Sequence, residues 1–240
     1  MAVAIFVIVH GAWSGGWSWT PVARLLRAEG HEAHVVSLTG LGERWHLLRA
    51  DINLSTHISD VVNLITAEGL SDVILAGHSY GGMVITGASA VIGSKIRSLV
   101  YLDAWLPDDG QSLWDLADEE SRAFYVANQR GSPGLVAFPG PPPGVELPPG
   151  STLERIRAAP PWVIGRHPFL TLTEPVKLGG EEGKVLHRTY VLTTKPPTFQ
   201  RFYDKAHAAG WKTTTIGVTH LVNQEDPKGI AALLLEEVGR

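Results

Sequence analysis

The sequence predicts an α/β protein, a doubly wound and mostly parallel sheet that carries a cap insertion. Three observations predict it. Apolar runs of strand length at Ala2 to Val9, Ala33 to Leu38, Val73 to Ala76 and Ile96 to Leu102 alternate with helical patterns. Strands covered on both faces read as continuous apolar runs, and strict strand–helix alternation makes sheet neighbours parallel. One stretch, Gly77-His78-Ser79-Tyr80-Gly81, matches G-x-S-x-G and joins the third of those strands to a small-residue helix. The alternation breaks once, after Leu106-Pro107, and resumes at Val185.

In chain order, Ala2 to Val9 is the first strand, and it ends in the glycine and tryptophan loop His10 to Trp19. A helix follows with Pro21 in its first turn and Gly30 at its stop, then a strand over Ala33 to Leu38. Gly40-Leu41-Gly42 opens a loop through Arg49 on the edge where strand ends meet ligands. Ile58, Val61, Val62 and Ile65 keep one face of a helix that starts near Ser55 and stops at Gly69. Next come the strand before Ser79, the helix Gly82 to Ile92, and the strand Ile96 to Leu102. Residues 108–130 read as polar and helical, and proline-rich Gly131 to Gly150 as an irregular loop. Val185 to Thr193 is a strand, Thr198 to Ala209 a helix, Lys212 to Val218 the last strand, and Asp226-Pro227 caps a terminal helix over Lys228 to Val238. The expected organisation is a core of residues 1–106 and 185–240, interrupted by a cap over 107–184. Long segments without regular structure in compact domains are usually lids or binding loops.

Composition narrows the function. With 240 residues and 44% hydrophobic content the chain can bury one substantial core. A net charge of −4 and the absence of a basic run give neither nucleic acid nor an anionic membrane surface anything to hold. Zero cysteines remove disulfides, thiolate nucleophiles and cysteine-ligated metal, and fit a reducing cytoplasm. The first apolar run is too short to span a bilayer and has no basic flank, so we expect it to belong to the fold.

Ser79 is the candidate nucleophile. In such an elbow the glycines on either side leave room for neighbouring backbone, and the first amides of the helix face the reacting centre. A serine hydroxyl needs a base, and the base an orienting acid, in the chain order Ser, acid, His. His220 follows the last strand and precedes the last helix, where a loop can return it to Ser79. The other histidines show no metal-ligand spacing; His10 is read as shaping the first loop, His78 as a packed neighbour, and the rest, His57 and His167 included, as solvated or capping. The two amides of an oxyanion hole are expected from Tyr80, which follows the nucleophile, and from Ala12 in the first loop. Trp13, Trp105, Trp114 and Trp162 are expected to line an apolar pocket. No metal or other cofactor is expected.

Phe6-Val7-Ile8-Val9-His10-Gly11-Ala12-Trp13, Gly16-Trp17-Ser18-Trp19, Gly77 to Gly82 and Tyr101-Leu102-Asp103-Ala104-Trp105-Leu106-Pro107-Asp108 resemble the α/β-hydrolase branch of plant methyl esterases and hydroxynitrile lyases. Related bacterial carboxylesterases, pyrethroid-hydrolysing ones included, are similar too. The resemblance spans nearly the whole chain and is strongest over residues 3–108. It implies a cofactor-free Ser-His-Asp hydrolase of small apolar or aromatic esters working under a cap. Two departures stand out. The lyases carry a lysine directly after the catalytic histidine, where this sequence has Leu221, which disfavours cyanohydrin cleavage. The plant members take their acid from the loop that here reads Thr194-Lys195-Pro196-Pro197-Thr198, without a carboxylate.

The acid is therefore expected at Asp103, which ends the strand beside Ser79, with Asp204 in the following helix as its rival. The expected activity is ester hydrolysis through an acyl-enzyme on Ser79. The rival readings are lyase or other C–C cleavage on the same scaffold, and a non-catalytic small-molecule receptor.

Overall fold

The computed structural model describes residues 3–129, 131–138 and 165–240. Its strands are β1 (Ile5–Val9), β2 (Glu32–Val36), β3 (Val73–His78), β4 (Ile96–Leu102), β5 (Leu135–Ala137), β6 (Arg166–Pro168), β7 (His187–Thr193) and β8 (Lys212–Ile216). Its α-helices are α1 (Thr20–Ala28), α2 (Leu54–Ala67), α3 (Gly81–Ile92), α4 (Leu113–Leu116), α5 (Glu119–Ala127), α6 (Leu170–Thr173), α7 (Gln200–Ala208), α8 (Val222–Glu225) and α9 (Pro227–Leu235). The main sheet runs β2-β1-β3-β4-β7-β8 with every neighbouring pair parallel.

The central strands β1, β3 and β4 are rich in buried apolar residues because each feeds two cores. Val7, Val9, Leu75, Tyr101 and Tyr190 pack with α2, α3 and α7 on one face. Phe6, Ile8, Ile74, Val100 and Val191 pack with α1 and α9 on the other. Period-two alternation sends successive side chains to opposite faces, so the central strands, buried on both, read as near-continuous apolar runs, whereas the edge strand β8 is threonine-rich and part-exposed.

Helix starts follow local chemistry. Asn53, not Ser55, caps α2 by accepting from the Thr56 amide at 3.0 Å. Asp226 accepts from the Gly229 amide at 2.8 Å, and Pro227 opens α9. Among the described residues of the 108–130 stretch two short helices form, α4 under a Ser112–Asp115 capping box and α5 capped by Asp118.

The expectation of an irregular loop from Gly131 is corrected at one place. Leu135–Ala137 pairs antiparallel with Arg166–Pro168 as a two-stranded ribbon, with Val136 opposite His167. Three residues are too few to show alternation, and their partner is remote in sequence, so no pattern announces the ribbon. Residues 139–150 of that loop lie outside the described residues. So does Trp162.

The register places the exits of β1, β3 and β4 near one level of one edge. Val9 is opposite Gly77, Gly77 opposite Tyr101, and Tyr101 opposite Tyr190. The chain therefore leaves the sheet at His10, Ser79 and Asp103 side by side, with β7 running two residues further before it leaves at Thr194, at the carboxyl ends where open α/β sheets carry ligands.

Candidate active site

Ser79 lies between β3 and α3 with φ at 53°, in the left-handed region that a non-glycine residue seldom occupies. The turn closes because its flanking glycines have no Cβ. A Cβ on Gly77 would lie 2.6 Å from the Gly81 carbonyl oxygen, and one on Gly81 would lie 2.7 Å from that of Val9. The Ser79 amide donates to the Leu102 carbonyl at 3.3 Å, and its carbonyl accepts from Gly82 at 3.0 Å and Trp105 at 3.1 Å. Backbone bonds, not the hydroxyl, hold the strained residue in place.

Asp103 also has a left-handed φ, at 45°, and is buried where β4 ends. Its amide donates to Val191 at 2.7 Å, and the Tyr190 hydroxyl bridges the next residue by donating to the Ala104 carbonyl at 2.6 Å. One carboxylate oxygen accepts from the Thr193 amide at 3.0 Å and the other meets His220 Nδ1 at 2.6 Å. The carboxylate is 1% exposed and the imidazole 37% exposed. An acid on Nδ1 holds the proton there and leaves the Nε2 lone pair on the open side of the ring. Phe199 stacks on the imidazole at 5.2 Å between centroids, nearly parallel. Asp204, the rival acid, is exposed on α7 and accepts from Gln200 at 2.8 Å.

His78 does more than fill space beside the serine. Its Nε2 donates to the His220 carbonyl at 2.9 Å, and its ring packs 4.6 Å from that of His220. His10 bonds the Gly11 carbonyl through Nδ1 at 2.7 Å and accepts from Leu38 through Nε2 at 3.1 Å, which joins the first loop to the one after β2. That first loop lies against Ser79, since a Cβ on Gly11 would come 2.9 Å from Ser79 Cβ. Among the described residues neither the Ala12 nor the Tyr80 amide donates a hydrogen bond, and Ser79 Oγ does not yet meet His220 in hydrogen-bond geometry. Catalytic bonds are often long before a substrate is seated.

Two histidines read as solvated or capping are corrected to fully buried members of this region. His57 Nδ1 accepts from the Tyr80 hydroxyl at 2.9 Å, and its Nε2 donates to Thr39 at 2.9 Å. His167 packs its ring 4.9 Å from Tyr80 and 5.4 Å from Trp13. His57 shares the inward face of α2 with Leu54, Val61 and Ile65, so helical periodicity could have found it. For His167 and Phe199 no such signal exists.

The tryptophans separate. Trp13 lines a cavity of about 170 Å³ with Leu41, Trp45, Leu48 and Arg166. Trp105 sits edge-on to Phe199, at 5.3 Å, and thus supports the ring that stacks on His220. Trp114 packs on Phe169 and under Arg122. A second cavity, about 280 Å³, lies between Tyr101, Leu178, Arg188 and Trp211. Ser79 and His220 line neither.

The buried histidines carry a pH cost. Burial lowers His10 and His57 to about 4, partly offset by their bonds to the Gly11 and Thr39 carbonyls. Burial, and then His220, lower His78 to about 3. Folded values below the ordinary 6.5 mean that the unfolded chain takes up protons first as pH falls. The stability is complete above pH 6.5 and is lost progressively toward pH 4 to 3. At pH 5 each site costs about 2 kcal/mol, from about 1.4 kcal/mol per unit, against a typical total of about 5–15 kcal/mol. Thermal melts followed by circular dichroism should show a midpoint that drops steeply between pH 6.5 and 5. A midpoint unchanged down to pH 5 contradicts the buried neutral assignment.

Comparison with known proteins places this architecture. Residues 6–233 match the alpha/beta hydrolase family. The chain belongs to that family. It is 37% identical over 238 residues to a carbendazim-hydrolysing esterase of Nocardioides sp. (strain SG-4G), covering 97% of this chain and 98% of the esterase. It is 36% identical to salicylic acid-binding protein 2 of Nicotiana tabacum over 43% of this chain and 40% of that protein. Among solved structures, an extracellular α/β-hydrolase from a Paenibacillus species superposes with a TM-score of 0.82 at 24% identity, covering 98% of both chains. A pyrethroid hydrolase superposes at 0.72 with 20% identity, over 99% of this chain and 98% of its own. At those identities the two structures speak to the fold alone. Among the described residues no helix is long and apolar enough to cross a membrane.

Proposed function

We propose that this chain hydrolyses small apolar or aromatic carboxylic esters through an acyl-enzyme on Ser79. The observation that carries the proposal is the 2.6 Å bond from His220 Nδ1 to buried Asp103, formed at the sheet edge where Ser79 is held in its strained turn. Whole-length identity to a named esterase supports the ester as substrate. His220 Nε2 takes the Ser79 proton as Oγ attacks the ester carbonyl, and Asp103 holds the ring and stabilises the imidazolium. The Ala12 and Tyr80 amides receive the oxyanion. His220 then protonates the departing alcohol, and water repeats the sequence on the acyl-serine.

The described residues of the 107–184 insertion, 107–129, 131–138 and 165–184, contribute to a cap over this edge, and Trp13, Trp105 and Trp114 to its apolar lining. The free hydroxyl of Ser79, rather than a bound group, supplies the nucleophile. A cytoplasmic location rests on the lack of cysteine.

The test is p-nitrophenyl acetate and butyrate turnover with and without a serine-directed organophosphate, run beside mandelonitrile cleavage. Ester turnover abolished by stoichiometric labelling of Ser79, with no cyanide release, is the expected result. Cyanide release would support the lyase reading, which Leu221 disfavours. Tight ligand binding without turnover of any ester would support a receptor.

A further inference from the structure

We propose that the β5–β6 ribbon sets the oxyanion hole through Trp13, with His167 as the positioning residue; this rests on the assignment of Ala12 and Tyr80 as oxyanion donors. Trp13 is the residue after Ala12, and its φ of 56° is left-handed. A bulky side chain stays in that region only when its surroundings over-determine it. The surroundings are a single rung of the ribbon. Val136 and His167 face each other across it. The Val136 carbonyl accepts from the Trp13 indole at 2.8 Å, and His167 Nδ1 accepts from the Trp13 amide at 3.4 Å. The second bond is long, and the rings of Phe124, Tyr125 and Phe138 close around the indole at 6.2 to 6.4 Å.

The tautomer of His167 follows from its neighbours. The Trp13 amide can only donate, so Nδ1 is the acceptor, and Nε2 donates to the Thr171 hydroxyl at 2.8 Å, which also lies 2.6 Å from the Pro168 carbonyl. The proton therefore sits on Nε2, and Nδ1 keeps a lone pair for Trp13. Full burial holds the ring well below its ordinary 6.5, so this acceptor persists across the working pH range. On its other side the same ring abuts Tyr80, whose hydroxyl is fixed by His57. One buried imidazole on the ribbon thus touches Tyr80, one proposed donor, and Trp13, the neighbour of the other. If the ribbon shifts, the peptide after Ala12 shifts with it.

An oxyanion exists only after attack, so misplacing its donors lowers kcat and spares KM. Asparagine can present an oxygen near the Nδ1 position, whereas glutamine can present an amide near Nε2 and leaves Trp13 without its acceptor. We expect His167→Asn to keep kcat within about 3-fold and His167→Gln to lose roughly 10- to 100-fold at unchanged KM, below the 10²–10³ of deleting an oxyanion donor. Affinity for a trifluoromethyl ketone analogue should fall in step with kcat. Trp13→Phe, which keeps the ring and loses the indole donor, should fall in the same direction, and it carries the test if the His167 variants fail to fold. Equal losses in the Asn and Gln variants, or losses in KM alone, would reduce His167 to packing and overturn the coupling. Failure of an organophosphate to label wild-type Ser79 would overturn the hydrolase reading itself, so the two failures are distinguishable.

Discussion

Ser79→Ala is expected to fold as the wild type does and to lose on the order of a millionfold in kcat, the scale of a nucleophile knockout in a serine triad. Folding should survive because the strained residue is held by the Leu102, Gly82 and Trp105 backbone bonds and not by its hydroxyl. Glycine clearance at Gly77 and Gly81 is likewise indifferent to the side chain between them. Activity should vanish because Ser79 is the hydroxyl that the elbow turn sets at that edge. His10 and His57 are buried and already bonded through both ring nitrogens, so neither is free to replace it. His220→Ala should lose nearly as much, and the double variant scarcely more, since groups that act as one unit are not additive. Retention of even a tenth of wild-type turnover in Ser79→Ala would remove Ser79 as the nucleophile and overturn the proposed mechanism.

Much of this site is legible in the amino-acid sequence, because its geometry is local to short motifs. The glycines around Ser79, the β4 end at Asp103 and the loop before α9 each follow from strand and helix limits, and parallel topology then brings the ends of β1, β3 and β4 to one edge. What escapes is held by contacts between remote segments. Phe199 reaches His220 from the loop ahead of α7, and Val136 and His167 meet only because a three-residue ribbon closes across an insertion. His57 lies between these cases: its place on the α2 face is periodic, but its bond to Tyr80 is not. A polar side chain on an apolar stripe is a position where pattern and function diverge, and such exceptions gather at functional sites.

Asp103→Asn is expected to cost on the order of 10⁴ in kcat with the fold retained, while Asp204→Asn is nearly silent. The asymmetry follows from where the two carboxylates lie. Asp103 is buried at the end of β4 and divides its oxygens between the Thr193 amide and His220 Nδ1. An asparagine that keeps its oxygen on the Thr193 amide turns its NH₂ toward His220. That donor can be accepted only by an unprotonated Nδ1, which moves the imidazole proton to Nε2, the atom that must take the serine proton. The base is then in the wrong tautomer although every heavy atom is near its place. Asp204 is exposed and bonds Gln200 one turn earlier on its own helix, so its amide loses only a surface interaction. The loop that follows β7 cannot rescue Asp103→Asn, because Thr194 to Thr198 holds no carboxylate. The check is kcat/KM for a p-nitrophenyl ester in both variants, with near-ultraviolet circular dichroism to confirm the fold. A large loss in Asp204→Asn beside a small one in Asp103→Asn would move the acid to α7 and require the His220 loop to swing away from the buried carboxylate it now meets at 2.6 Å.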